Sequence, residues 1–199
     1  MSFASAQVDA SVRRFRPDRP MSDEEFMRFC AANEPVRCER DANGEIIMMS
    51  PTGTEGGGVD TDITLELGFW ARQDGRGRVY NSSTGFTLPD GSIRSADSHW
   101  ISWNRLNTVA PADRKRCAPI CPEFIVELRS ETDRLPDVQE KMRMWIANGV
   151  ELGWLVDPQH KVVEIYRPGE EPEIHEQPTS VQASGPVAGF ELVMARVWG

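Results

Sequence analysis

The sequence predicts one domain of the α/β type, more closely a mixed α+β fold, with a mixed central β-sheet, flanking helices and extra hairpins. Three observations carry this expectation. The 199 residues, 39% hydrophobic and 27% charged, suffice for a single core of about 150 residues plus tails, whereas two full domains would each be small. Short extended runs alternate with helical patterns along the chain, as a sheet with helices on its faces requires. No internal repeat appears, and no apolar run approaches the roughly 18 residues of a membrane-spanning helix.

Taken in order, residues 1–20 carry four Arg against two Asp and are bounded by Pro, which reads as a flexible Arg-rich arm ahead of a domain spanning 21–199. Ser22-Asp23-Glu24-Glu25 is a capping box opening a helix to about Ala32. Phe26, Phe29 and Cys30 then share one helical face. Val36–Asp41 and Glu45–Met49 flank Ala42-Asn43-Gly44, and an Asn-Gly between two extended runs signals a hairpin. The Gly-rich stretch Ser50–Gly58 reads as a loop. The helix after it, about Val59–Gln73, carries Ile63, Leu67 and Trp70 as its apolar stripe and stops at Gly75 and Gly77.

Strands follow at Val79–Asn81, Gly85–Leu88 and from Arg94 towards Trp103, with Pro89-Asp90-Gly91 as a turn. Arg105–Arg116 reads as short helices under a basic surface. Glu123–Leu128 is a compact apolar strand with acids at both ends. Asp137–Ala147 is an amphipathic helix stopped by Asn148-Gly149. Leu152–Val156 and Val162–Tyr166 form a second hairpin. The Pro- and Glu-rich stretch from Pro168 to Gly185 reads as irregular, and Phe190–Trp198 as a last packed segment.

The net charge is −9, from 22 basic and 31 acidic residues. Such a chain is a poor sequence-tolerant coat for nucleic acid, because phosphate binding rests on clustered Lys and Arg. An enzyme that meets a phosphodiester through a metal ion stays open, since a metal site itself needs carboxylates. Cys30, Cys38, Cys117 and Cys121 lack the paired spacing of a structural zinc site and read as reduced, mostly buried thiols. The first twenty residues show no secretory signal, so the expected location is the cytoplasm.

Three residues stand out by position. Asp97 sits where a strand begins. Glu127 lies near the end of an apolar strand on the face of Ile125. Lys141 is on the helix that follows. Taken singly, a strand-end acid reaching solvent and a solvated helix lysine are equally good readings. Together, two acids on adjacent strands and a nearby ammonium are the minimum kit for metal-assisted phosphodiester hydrolysis.

Several segments in order resemble the Uma-type putative restriction endonuclease family, a branch of the PD-(D/E)XK nucleases. They are Asn43–Gly53, Ser82–Gly91, Arg94–Asp97, Cys121–Ser130, Gln139–Met142 and Asn148–Pro158. The resemblance runs from about Ser22 to Trp198 and implies a restriction-endonuclease-like fold. It makes Asp97 and Glu127 metal ligands and Lys141 the signature lysine, moved from the strand to the next helix. Arg129 occupies the strand slot where the pattern has lysine, and Glu45 or Glu55 would supply a further acid, with Glu55 preferred because its Gly-rich loop could fold over a metal. Ala96 replaces the motif proline, and Trp145 stands where the family often has tyrosine. Mg²⁺ or Mn²⁺ is the implied cofactor.

His99 shares the strand face of Asp97 and is read either as an accessory to the site or, more simply, as a histidine satisfied by nearby backbone. His160 and His175 read as surface residues. No Ser-His-acid arrangement or phosphate-binding loop is present. Two functions therefore stand: a Mg²⁺- or Mn²⁺-dependent DNA endonuclease, and a non-catalytic nucleic-acid-associated or regulatory module retaining the fold. DNA is the expected partner, through Arg94, Arg105, Arg114, Lys115 and Arg116, with no membrane association. A homodimer is expected because six tryptophans exceed what one small core readily hides and because nucleases that cut both strands commonly act in pairs.

Overall fold

The computed structural model describes residues 12–199. In chain order its elements are β1 (Val12–Phe15), α1 (Asp23–Ala32), β2 (Arg37–Arg40), β3 (Ile46–Met49), α2 (Thr54–Asp74), β4 (Gly77–Asn81), β5 (Phe86–Thr87), β6 (Ile93–Arg94), β7 (Ser98–Ser102) and α3 (Trp103–Leu106). There follow β8 (Phe124–Leu128), α4 (Leu135–Ala147), β9 (Leu152–Asp157), β10 (Val162–Tyr166), β11 (Glu173–Glu176), β12 (Ser180–Gln182) and β13 (Glu191–Val193). The mixed α+β class is as the sequence predicts.

A six-stranded sheet in the order β11-β10-β9-β8-β7-β4 forms the centre. Only β8 and β9 run parallel, with Glu127 opposite Leu155, and α4 is the crossover between them. Strand alternation divides the sheet into two apolar faces. Trp100, Phe124, Val126, Trp154 and Val156 pack under α2 through Ile63, Leu67 and Ala71. Ile101, Ile125 and Leu155 pack under α4 through Met142 and Trp145. A second sheet, ordered β1-β3-β2-β6-β5, stands beside the first with α1 on one face.

Local chemistry accounts for most boundaries. Ser22 and Glu25 form the capping box that starts α1. Gly44, at φ +81°, closes the β2–β3 hairpin in a conformation that only Gly adopts freely. Gly75, at φ +75°, ends α2 by the left-handed stop.

Three segments differ from the sequence reading. Residues 12–15, inside the stretch read as a flexible arm, pair antiparallel with β3; residues 1–11 of that stretch lie outside the described residues. Of the stretch Ser50–Gly58 read as a loop, residues 50–53 are irregular but the rest forms the first turns of α2, which begins at Thr54. Each Gly there costs about 1 kcal/mol of helix propensity, but burial of the same helix further on outweighs it. The stretch read as irregular holds β11 and β12, because β10 and β13 offer them free edges.

The tryptophans also find places within one copy. Trp100, Trp145 and Trp154 are fully buried, Trp70 and Trp198 pack against the same core, and Trp103 donates its indole N–H to Gly75 O at 2.9 Å. Their number is therefore no argument for a second copy.

Gly77 is needed for space. A Cβ there would lie 2.5 Å from the Trp100 ring and from Ile101 O. Gly77→Ala is expected to lower stability by about 1–3 kcal/mol through overpacking. An unchanged urea midpoint would show that β4 shifts freely.

Candidate active site

The strand pairing that sets the core also sets the site. Asp97 immediately precedes β7, and its backbone N–H donates to Val126 O at 3.1 Å. Its carboxylate Oδ2 accepts the Leu128 N–H of β8 at 2.8 Å. Glu127, one residue earlier in β8, faces α4. Lys141 and Trp145 lie one helical turn apart on α4 and both meet it.

The indole N–H of Trp145 donates to Glu127 Oε1 at 2.8 Å. Lys141 Nζ stands 2.9 Å from the same oxygen and 3.1 Å from Oε2. The ammonium also donates to Ser95 O at 3.1 Å and lies 3.5 Å from Glu39 Oε1. Glu39 comes from β2 in the other sheet, where it also accepts from Arg94 at 3.0 Å and from the Ser95 N–H at 3.1 Å. Lys141 thus joins three elements at once.

Sequence reasoning missed Glu39 and also Asp60. Asp60 Oδ1 is buried without a hydrogen-bond partner, and the charge of Asp97 acts on it. Its signal was available: Asp60 precedes Ile63 and Leu67 by three and seven positions, so an acid sits on the buried stripe of a helix. Glu39 gave no comparable signal, because its burial depends on contact between two sheets.

Other anticipated residues lie elsewhere. Glu55 is exposed on the first turn of α2 and makes no hydrogen bond or ion pair among the described residues. Glu45 pairs with Arg14 at 3.3 Å on the outer hairpin. Arg129 bonds Asp157 at 2.6 Å and stands 3.1 Å from His160 Nδ1. His99 Nε2 accepts the Ala96 N–H at 2.6 Å, while its buried Nδ1 has no hydrogen-bond partner among the described residues. Burial pushes the imidazole down to about 3, so it is neutral and only half satisfied by backbone.

Among the basic residues expected at DNA, Arg94 is held by Glu39 and Arg105 by Glu123 and Glu151. Arg114 donates to Val109 O at 2.8 Å. Lys115 and Arg116 are exposed and make no ion pair among the described residues.

Burial disfavours charge on every acid of the cluster, and neighbours decide the outcome. Glu127 is pushed up to about 7 by burial, with Lys141 opposing and the Asp97 charge adding to the rise. Burial also raises Asp97, against Lys141 and the Leu128 N–H. Asp60 is raised to about 6 by burial and then by Asp97, with Arg37 opposing. Glu39 runs the other way: burial would raise it, but Lys141 and Arg94 together hold it below the usual carboxylate range. Burial would lower Lys141, yet the carboxylates of Glu127, Glu39 and Asp97 keep it firmly protonated.

Asp97, Glu127 and Asp60 offer oxygen donors alone, which suits a hard divalent cation. The unpartnered Asp60 oxygen beside Asp97 is what such a cation would satisfy. Among the described residues no three His, Cys, Asp or Glu side chains converge closely enough to hold a metal as they stand. Lys141 supplies the counter-charge instead.

A family model described as "Putative restriction endonuclease" (Uma2) matches residues 23–195. No curated protein sequence matches the chain. The crystal structure of a putative nuclease belonging to DUF820 from Anabaena variabilis superposes with a TM-score of 0.72 at 20% identity, over 90% of this chain and 98% of that one. At that identity the likeness shows a shared fold. A structure of a DrdV–DNA complex aligns at a TM-score of 0.38 and 17% identity, over 58% of this chain and 9% of that one, which is too slight to carry an argument.

Two predictions follow from the cluster. Trp145→Phe, which removes one hydrogen bond to a buried carboxylate, is expected to lower stability by about 1–3 kcal/mol; an unaltered melt would mean water replaces the indole. Folded Glu127 keeps its proton to about pH 7, while the unfolded chain releases it near pH 4.5, so its contribution to stability falls as pH rises through that window. Denaturation curves across it should show wild type losing stability relative to Glu127→Gln, and parallel pH profiles would contradict this.

Proposed function

This chain belongs to the Uma2 family of putative restriction endonucleases, and we propose that it is a divalent-metal-dependent DNA endonuclease. The observation that carries the reading is the cluster of Asp97 and Lys141 about the buried Glu127, with the unpartnered carboxylate oxygen of Asp60 near Asp97. Asp97, Glu127 and Asp60 would hold Mg²⁺ or Mn²⁺. Bound there, such a cation would supply Lewis-acid polarisation of a phosphodiester and make a nearby water more acidic.

The chain's own residues supply orientation and charge. Lys141, firmly protonated and aimed by Glu39 and Ser95 O, can donate a hydrogen bond to the attacking water or to the phosphate oxygen that gains charge. Trp145 fixes the rotamer of Glu127 through its N–H. The Leu128 N–H turns Asp97 so that Oδ2 is engaged and Oδ1 is left to ligate. The net charge of −9 confines DNA contact to a local basic patch, with Lys115 and Arg116 as the exposed members of the expected set. Nucleases that cut both strands commonly act in pairs, so the acting unit is expected to be a homodimer.

One observation favours the second reading, a non-catalytic module that keeps the fold: both Glu127 oxygens are already engaged by Lys141 and Trp145. The two readings separate on supercoiled plasmid with Mg²⁺ or Mn²⁺. Cleavage is expected, with Asp97→Asn, Glu127→Gln and Lys141→Met each at least about 100-fold slower. Glu55→Gln should leave the rate unchanged and Asp60→Asn should lower it at least about tenfold. No cleavage by well-folded wild type with either metal, or equal Mn²⁺ isotherms for wild type and Glu127→Ala, would favour the module.

A further inference from the structure

Arg37 precedes Glu39 by two residues in β2, so the two side chains leave the same face of the strand, about 7 Å apart along it. That face is fixed by the contacts of Glu39 with Lys141, Arg94 and the Ser95 N–H. The alternate residues Cys38 and Arg40 turn towards α1 instead, Arg40 lying over the Phe26 ring. The charge of Arg37 reaches the site, where it opposes the rise of both Asp60 and Asp97.

Arg37 is half-buried, yet its side chain makes no ion pair or hydrogen bond among the described residues. Every other arginine or lysine that is at least half-buried there, namely Arg40, Arg94, Arg105, Arg129, Lys141 and Arg167, is held by a carboxylate. None of the Arg37 guanidinium nitrogens is fully buried, so its unused donors stay open to an acceptor arriving from solvent. Its planar fork of donors matches phosphate oxygens.

We propose that Arg37 receives a non-bridging phosphate oxygen of the DNA strand entering the site, opposite the acid cluster. The proposal rests on the nuclease reading and adds the residue that offsets the repulsion between a phosphodiester and three carboxylates. It also gives β2 a purpose: Glu39 anchors the strand so that Arg37 stands at the mouth of the site.

The test is fluorescence anisotropy of a short labelled duplex in metal-free buffer over a series of salt concentrations. Arg37→Ala, Arg37→Lys and the exposed Arg72→Ala are compared with wild type. A phosphate contact predicts that Arg37→Ala weakens binding about tenfold and reduces the log–log salt slope by about 0.9. Arg37→Lys restores the slope but only part of the affinity, and Arg72→Ala changes neither. If Arg37 is only an internal counter-charge, the slope stays at the wild-type value while Mn²⁺ affinity rises, because a cation beside the carboxylates has been removed, and the proposal is overturned with the nuclease reading intact. If wild type retains no duplex, the DNA reading fails, and calorimetry with inorganic phosphate decides Arg37. Heat with wild type that is lost in Arg37→Ala keeps the assignment, and no heat with either overturns it. Should the alanine variant melt early, Arg37→Gln preserves most of the packing and answers the same question.

Discussion

A single half-buried ammonium is the charge around which the two sheets meet. Lys141 reaches from α4 to Glu127 in the central sheet, to Glu39 in the second sheet, and to Ser95 O in the segment joining them. A lone ammonium, or a lone carboxylate, would be too expensive to keep dry; together they are tolerated because every charge has a partner and most lone pairs are bonded. Arg94 extends the network by one more pairing with Glu39. Breaking any member leaves a neighbour buried and uncompensated, so the network specifies how the sheets dock as much as it stabilises them.

The same face of the sheet carries a second buried acid. Glu164 lies opposite Leu155, which itself lies opposite Glu127, so the two acids share a face with one strand between them. Glu164 is fully committed: Tyr166 donates to it at 2.5 Å and Gln139 at 2.9 Å. Among the described residues no cation pairs with it, and neutral donors suffice. Glu127 differs in having an ammonium and a further carboxylate, Asp97, close by. That contrast separates an acid held by neutral donors from one set among charges.

Asp60 and Glu55 show why counting acids near a motif is insufficient. Both lie on α2, and only the helical phase distinguishes them. Asp60 falls on the stripe that faces the sheet, while Glu55 falls in the exposed first turn, where its charge faces the positive helix end. The reading of Ser50–Gly58 as a loop hid the helical placement of Glu55, because three consecutive glycines argue locally against helix. Burial of Ile63, Leu67 and Ala71 decides otherwise.

Much was legible in the sequence, for reasons that are local. The Ser22–Glu25 capping box, the Asn-Gly hairpin, the Gly75 stop and the apolar run at Phe124–Leu128 each fix backbone geometry through neighbours a few residues apart. The ordered segments that resemble a nuclease family picked out Asp97, Glu127 and Lys141, which the fold does bring together. What remained for the tertiary structure was every choice settled between distant segments. Glu39 enters the cluster from the second sheet, Trp145 turns its N–H onto Glu127 instead of solvent, and β11 forms because β10 leaves an edge open. A carboxylate's role depends on which charges surround it once water is excluded, and those charges come from strands and helices that only packing makes neighbours.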